Sequence, residues 1–286
     1  MARLLRSLIF VPGNNSRFLE KAKTLPADIV CFDLEDSVAL DEKDSARNLI
    51  KEALVKREEY KAEVYVRTNS PRSGMIQDDL AKIIQKGIDG IVIPKVNNVK
   101  ELKKIEKFLA SVEKNHKLKP IELIPSIESA EGVVNAYNIA TSSKRISALV
   151  FGVFDLLNDM GVEYAKQPEG AKYARAKIPI DAKAAGKYAI DAIWQDLNDE
   201  VGFGQDCTIG KSLGYAGKSV IHPDQIPAVH RIFYPSQSEI DWAEKVYQAY
   251  IESTKKNKGA TVVEGKMIDE VHFKRAKALL DSVRDV

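Results

Sequence analysis

Short β-type runs and amphipathic helical stretches alternate eight times along this chain, and no other feature restricts its fold as much. The strand runs fall at 5–11, 28–33, 62–67, 89–94, 121–125, 147–152, 188–193 and 217–222. Between them, segments such as 42–58 (EKDSARNLIKEALVKRE) and 98–114 (NVKELKKIEKFLASVEK) place apolar residues at three- and four-residue intervals, which gives a helix one face to bury. Eight strand–helix units over about 220 residues suit a closed parallel barrel better than an open doubly wound sheet, which has fewer strands and a Gly-rich dinucleotide turn. VPGNNSRF, after the first strand, has a single Gly. The expected fold class is therefore α/β, a (β/α)8 TIM barrel over residues 1–222. A C-terminal helical extension and lid follow over 223–286, where HPDQIPAVHRIFYP, SEIDWAEKVYQAYIEST and EVHFKRAKALLDSV read as helices and KKNKGATVVEGKMID as an exposed loop or hairpin. This tail is too short for a second large core, so it is expected to pack on the barrel or reach a neighbouring subunit.

Charged residues gather where the strand runs end. DIVCFDLEDS closes on Asp33, Glu35 and Asp36, AEVYVRTN on Arg67, IVIPK on Lys95, IELIPSIES on Glu128 and ALVFGVFD on Asp155. A charge at the mouth of a buried strand is costly unless it meets a partner, a metal or a substrate. In a closed barrel these strand ends form one rim, where the chemistry of such folds sits. Glu128 and Asp155 come from neighbouring strands and can converge on one hard cation; two carboxylates with several waters is the usual way of holding Mg²⁺. Singly, each reads equally well as a surface ion pair or a helix cap, Asp155 and Ser126 both preceding helical stretches. His116, His222, His230 and His272 are dispersed and show no HxH or HExxH spacing, which argues against zinc or non-haem iron.

The guanidinium of Arg67 suits a substrate carboxylate bidentately or an ion pair with Glu35 or Asp36. Lys95 fits Schiff-base chemistry or the anchoring of carboxylates. Gly152 lets either a ligand or a packed helix approach the backbone.

Lys plus Arg number 43 against 41 Asp plus Glu, a net charge of +2, and the basic runs lie on helices as solvated faces, so a nucleic-acid partner is not expected. Cys31 and Cys207 lack CxxC spacing and read as small buried side chains in a reducing compartment. MARLLRSLIFVPGNN lacks the long apolar core and cleavage site of a signal peptide, and no window approaches the roughly 20 apolar residues of a membrane span. A soluble, cytoplasmic protein without a membrane partner is the expectation.

Read in order, the motifs RSLIFVPGNNSRF (6–18), FDLEDSV (32–38), VRTN (66–69), IPKV (93–96), IPSIESAEGVVN (124–135), FGVFDLLNDMG (151–161), GYAGKSVIHPDQI (214–226) and GKMIDEVH (265–272) carry a resemblance. They resemble the citrate lyase β-subunit-like (CitE-like) proteins of the HpcH/HpaI aldolase/citrate lyase superfamily. That resemblance implies a Mg²⁺-dependent carbon–carbon lyase acting on a 3-hydroxyacyl-CoA such as malyl-, citramalyl- or citryl-CoA. It implies Glu128 and Asp155 as metal ligands, Arg67 gripping the 2-oxo acid, Arg17 meeting CoA phosphates, and Glu35 with Asp36 as the family's acidic pair, Asp36 linked to a metal-bound water. Asp269, in GKMIDEVH, matches the lid Asp that in several such lyases completes a neighbouring subunit's site, and an Asp of raised pKa there serves as the base; the same residue also reads as a helix N-cap. A homotrimer is usual in the family. Two alternatives stay open: the β subunit of a citrate lyase complex working on a carrier-bound citryl thioester with partner subunits, and a metal-dependent aldolase on free hydroxy-oxo acids. One departure is YARAKIPIDAKAAGK, where Pro179 is expected to kink or restart a helix that is uninterrupted in the family.

Overall fold

The runs of β-branched and apolar residues become eight parallel strands that close on themselves in a computed structural model describing residues 4–165, 168–255 and 259–284. The strands are β1 (Ser7–Pro12), β2 (Ile29–Asp33), β3 (Glu63–Arg67), β4 (Gly90–Ile93), β5 (Glu122–Ile127), β6 (Ala148–Phe151), β7 (Tyr188–Asp191) and β8 (Gly217–Val220). Each bonds to its neighbour in sequence, and the ring is sealed by the β1–β8 register of Ser7 with Lys218, Leu8 with Ser219 and Ile9 with Val220. The expected strands agree with these to within two residues at every end. Between them run α1 (Ser16–Ala22), α2 (Lys43–Val55), α3 (Ile76–Ile83), α4 (Val99–His116), α5 (Ala130–Thr141), α6 (Val153–Asp159), α7 (Lys172–Ala184) and α8 (Glu200–Leu213). The chain continues through α9 (Ile226–Phe233), α10 (Gln237–Lys255), β9 (Thr261–Val263), β10 (Lys266–Ile268) and α11 (Glu270–Arg284).

Alternate strand residues fill the barrel. Leu8, Ile29, Cys31, Tyr65, Val92, Ile124, Val150 and Ile190 form one buried cluster, with Phe10 packed against it. Gly90 makes room for the largest of these, since a Cβ there would stand 2.1 Å from the Tyr65 ring. The Tyr65 hydroxyl meets the carboxylate of Glu122, which Ser147 also bonds. Cys31 and Cys207 are buried and unpaired.

Behind β7 and β8 lies a buried ionic group that the sequence reading did not anticipate. Lys218 reaches Asp191 at 3.1 Å and Asp206 at 2.6 Å, while Arg175 reaches the same two carboxylates at 2.5 and 2.7 Å. Two cations and two anions offset one another's desolvation and tie α7 and α8 to the strands they cover. Pro179 lies inside one continuous helix, so the restart that was expected as the alternative to a kink does not occur. Proline leaves the carbonyl four residues back without its helical donor. Here that carbonyl, of Arg175, accepts the Tyr215 hydroxyl at 2.9 Å instead.

The molecule divides into two compact units, one spanning Leu5–His230 and the other formed largely by Arg231 onward, so the division falls within α9 rather than at 222/223. In the second unit β9 and β10 pair antiparallel, the hairpin alternative for that segment. Ala243, Val246, Ile268, Ala276 and Leu280 make its small core, and Phe273 stacks on Tyr247 and Tyr250 at 5.1 and 4.8 Å. Among the described residues no helix is long and apolar enough to cross a membrane.

Candidate active site

The turn leaving β1 presses against the next strand: Gly13 donates its N–H to the Asp33 carbonyl at 2.9 Å, and a Cβ on Gly13 would come within 2.6 Å of that oxygen. Asp33, at the end of β2, then organises the loop that follows. Its carboxylate accepts the N–H groups of Glu35 (2.9 Å) and Ser37 (3.1 Å) and both Nε and Nη2 of Arg67, each at 2.6 Å. Burial opposes ionisation of Asp33, but Arg67 and these donors outweigh it and hold its carboxyl below the usual range. From beneath, the ammonium of Lys43 donates to the carbonyls of Leu34 and Glu35 at 2.6 and 2.7 Å. The loop is thus pinned on both sides, which fixes where Glu35 points.

Arg67 therefore pairs first with Asp33, and only its Nη1 approaches Glu35, at 3.3 Å; Asp36 pairs with Lys95 instead. Its guanidinium lies 4.5 Å over the Phe10 ring. Asp33 takes Nε and one N–H of Nη2 and Glu35 approaches Nη1, so among the described residues the five guanidinium N–H groups outnumber these three contacts and leave donors on Nη1 and Nη2. That is the fork needed to take a carboxylate in two hydrogen bonds. Phe10 was absent from the expected site, and Asp33, expected at its rim, was not expected as the partner of Arg67; only the closed barrel brings both to that guanidinium.

Lys95 projects its ammonium among three carboxylates: Glu35 at 2.9 Å, Asp155 at 3.2 Å and Asp36 at 3.4 Å. Its backbone is left-handed at φ 52°, a conformation unfavourable for a side-chain-bearing residue and held here by the bond from Asn97 Nδ2 to the Lys95 carbonyl at 3.2 Å. Despite burial, the surrounding carboxylates raise its pKa. Such a lysine is charged and ion-paired, the opposite of what a Schiff-base nucleophile requires, so the carboxylate-anchoring alternative is the one with geometric support.

Glu128 ends β5 and is 6% exposed, with Oε2 lacking a hydrogen-bond partner among the described residues. Gly152 caps α6 and leaves space for it: a Cβ at 152 would lie 2.3 Å from Glu128 Cγ. The space at Gly152 is thus taken by a carboxylate arm. Asp155 sits in the first turn of α6, and the neighbouring caps are Gly152 and, for α5, Ser129 rather than Ser126, so neither carboxylate is spent on capping. Burial, with the charges of Glu35 and Asp155, pushes the Glu128 carboxyl up to about 8. Burial likewise pushes Glu35 up to about 7, against the pull of Arg67 and Lys95.

Asp33, Asp36, Arg67, Glu128, Gly152 and Asp155 line one cavity of about 450 Å³ at the C-terminal strand ends, together with Phe10, Val150, Ser219 and Ile221. Its donor set is oxygen throughout. Among the described residues no three His, Cys, Asp or Glu side chains form a preformed metal cage. A buried carboxylate with an orphaned oxygen beside a second carboxylate suits Mg²⁺, which keeps its remaining positions for water and substrate. Arg17 is exposed on the first turn of α1, whose cap Asn15 accepts the Arg17 and Phe18 N–H groups. Asp269 belongs to the C-terminal unit, where it caps α11 by accepting from Val271 N at 3.0 Å and lies 2.6 Å from His272 Nδ1. That hydrogen bond holds its carboxyl below the usual range, whereas a base was expected to have a raised pKa.

Comparison with known proteins agrees with this layout. The HpcH/HpaI aldolase/citrate lyase family matches residues 6–223. The citrate lyase subunit beta of Leuconostoc mesenteroides is 36% identical over 97% of this chain and 93% of its own length. The mitochondrial citramalyl-CoA lyase of Homo sapiens is 33% identical over 95% of this chain and 83% of its own. Among solved structures, CitE from Mycobacterium tuberculosis in complex with magnesium, acetoacetate and coenzyme A superposes with a TM-score of 0.79 at 25% identity, covering 97% of both chains. By the match over residues 6–223 and the closed barrel that carries it, the chain belongs to the HpcH/HpaI aldolase/citrate lyase family and is an enzyme of its lyase type.

Proposed function

We propose that this chain is a Mg²⁺-dependent carbon–carbon lyase that cleaves or forms a 3-hydroxyacyl-CoA of the malyl-, citramalyl- or citryl-CoA kind, giving an acyl-CoA and a 2-oxo acid. The observation that carries this reading is Glu128: a buried carboxylate with an orphaned oxygen, facing Asp155 and Arg67 across one cavity. Two carboxylates crowded together either take up a proton, as the raised Glu128 carboxyl does, or share a cation that lets both ionise. Glu128 and Asp155 would hold Mg²⁺, which supplies Lewis-acid stabilisation of developing negative charge when bound. Magnesium in the M. tuberculosis relative supports this choice of ion.

The protein's own groups divide the remaining work. The open edge of Arg67 takes the carboxylate of the oxo acid, while Asp33 and Phe10 fix the guanidinium plane. Glu35, Asp36 and Lys95 form the acidic side of the mouth, Asp36 facing solvent. Arg17 binds the phosphates of CoA. In the cleavage direction a base removes the proton of the 3-hydroxyl, the carbon–carbon bond breaks, and its electron pair passes to the thioester as an enolate that is then protonated. Asp269 of a neighbouring subunit in a homotrimer is assigned that base. Its hydrogen bond to His272 must loosen for it to accept the proton.

The decisive test is the metal dependence of turnover. Glu128→Gln and Asp155→Asn are expected to lose at least about a hundredfold in activity, and EDTA to silence the wild type. Full turnover of either variant under EDTA ends the proposal. A second reading, the β subunit of a citrate lyase complex, is favoured by similarity to a named citrate lyase subunit over nearly the whole chain. Silence of the isolated chain with every acyl-CoA, reversed by a thioester-bearing carrier subunit, selects that reading. An aldolase on free hydroxy-oxo acids is separated from both by Arg17→Ala, which leaves such a substrate unaffected.

A further inference from the structure

Lys43 carries a charge that its helix does not need. It is the first residue of α2, where the free N–H groups of the helix already present positive charge and an acidic side chain is the favourable one. It is 8% exposed, and no carboxylate among the described residues pairs with it. Arg47, one turn further along the same helix, shows the usual arrangement, with Asp79 at 2.7 Å and Asp44 at 2.5 Å. A buried ammonium without a directly paired anion is costly, and a neutral side chain of similar length would remove that cost. The charge is therefore retained for what it touches.

We propose that Lys43 is a positioning residue for the reaction, holding the loop 34–36 so that Glu35 stands between the two cations of the mouth. The inference rests on the lyase reading above and adds to it a residue that does not line the cavity. Its donors go to two neutral acceptors, the carbonyls of Leu34 and Glu35, at 2.6 and 2.7 Å. Asp33 holds the opposite edge of the same loop through the N–H groups of Glu35 and Ser37. Glu35 is thus fixed at both its N–H and its carbonyl, and its carboxylate reaches Lys95 at 2.9 Å and Arg67 at 3.3 Å. Without Lys43 the Glu35 carbonyl keeps only the Val38 N–H, at 3.2 Å, and the loop gains room to turn. Glu35 then releases both cations, and Lys95 is left with Asp155 and Asp36 alone. A misplacement of about 1 Å in groups that orient a substrate costs up to about a hundredfold in rate.

Lys43→Met, close in length but without donors, tests this in the full-length protein. Hydrogen exchange in residues 34–38 is expected to quicken by at least about tenfold, while α2 and the strands exchange as in wild type. Turnover of malyl-, citramalyl- or citryl-CoA at saturating Mg²⁺ should fall at least about tenfold in kcat, with KM within about twofold. Lys43→Gln, which keeps two donors, should recover part of that loss. In a Glu35→Gln background Lys43→Met should cost less than about a further twofold, because the charge it acts through is already gone. Unchanged exchange in 34–38, unchanged kcat, or a full loss on top of Glu35→Gln overturns the assignment and leaves the lyase reading standing. A Lys43→Met protein that does not fold also overturns it, since the ammonium then serves the barrel rather than the site. If wild type turns over none of these thioesters, free or on a carrier subunit, the lyase reading falls and this assignment with it.

Discussion

Gly152 has no side chain because Glu128 fills the space one would need. An added Cβ meets three atoms of that carboxylate arm within 2.9 Å, and neither the strand nor the cap of α6 has slack to yield. Gly152→Ala is therefore expected to push Glu128 out of place, lowering Mg²⁺ affinity at least about tenfold and stability by about 1–3 kcal/mol. Calorimetry and urea unfolding read the two effects, and unchanged metal binding would contradict the geometry. His230 offers a separate prediction. Its Nε2 lies 2.7 Å from Ser7 Oγ, which also accepts the Asp28 N–H at 3.0 Å. Burial and nearby Arg6 hold the ring below its ordinary 6.5, with Asp28 opposing. The folded state then binds fewer protons than the unfolded chain just below that value, so stability present above about pH 6.5 is lost as pH falls through the depressed folded pKa. His230→Gln should flatten that part of the stability–pH curve; an unaltered slope would place the titration elsewhere. At this scale the sequence marked Arg67, Glu128, Asp155 and Lys95 by their position at strand ends. It could not mark Phe10 as their companion, nor Asp33, itself named at a strand end, as the partner of Arg67, since a strand shows which residues alternate but not what stands across the barrel.

Elements carry the second lesson. Helix α7 survives Pro179 because Tyr215, between α8 and β8, lends its hydroxyl to the carbonyl of Arg175. Tyr215→Phe should cost about 1–3 kcal/mol by leaving that buried carbonyl unpaired. In a Pro179→Ala background residue 179 regains its own N–H, and the cost of Tyr215→Phe should shrink. Additive losses in this double-mutant cycle would show that the two residues are not coupled. A restart at Pro179 was sound as local chemistry and is overruled here for a tertiary reason. The same holds for Lys218 within β8: a lysine in a short strand reads as an exposed edge, yet Asp191 and Asp206 bury it completely. Strand ends, by contrast, were legible to within two residues, because each run is short, apolar and bounded by polar or helical sequence.

At the scale of the whole molecule, the role proposed for Asp269 requires a neighbouring subunit. If Asp269 serves a neighbour, mixing the inactive Asp269→Asn and Glu128→Gln proteins under exchange conditions should restore measurable turnover, as some sites then receive an intact pair. No recovery would return Asp269 to its role as the cap of α11. Eight alternations of strand and helix, and charges at the strand ends, are local patterns, so the chain by itself determined the barrel and the gathering of carboxylates at one rim. Periodicity records which face a residue presents, and closure follows from eight strands buried on both sides. Only the tertiary structure decided that Asp33 engages Arg67 and that Glu128 occupies the place of a missing side chain. Those facts depend on distances between strands remote in sequence, which no local pattern encodes.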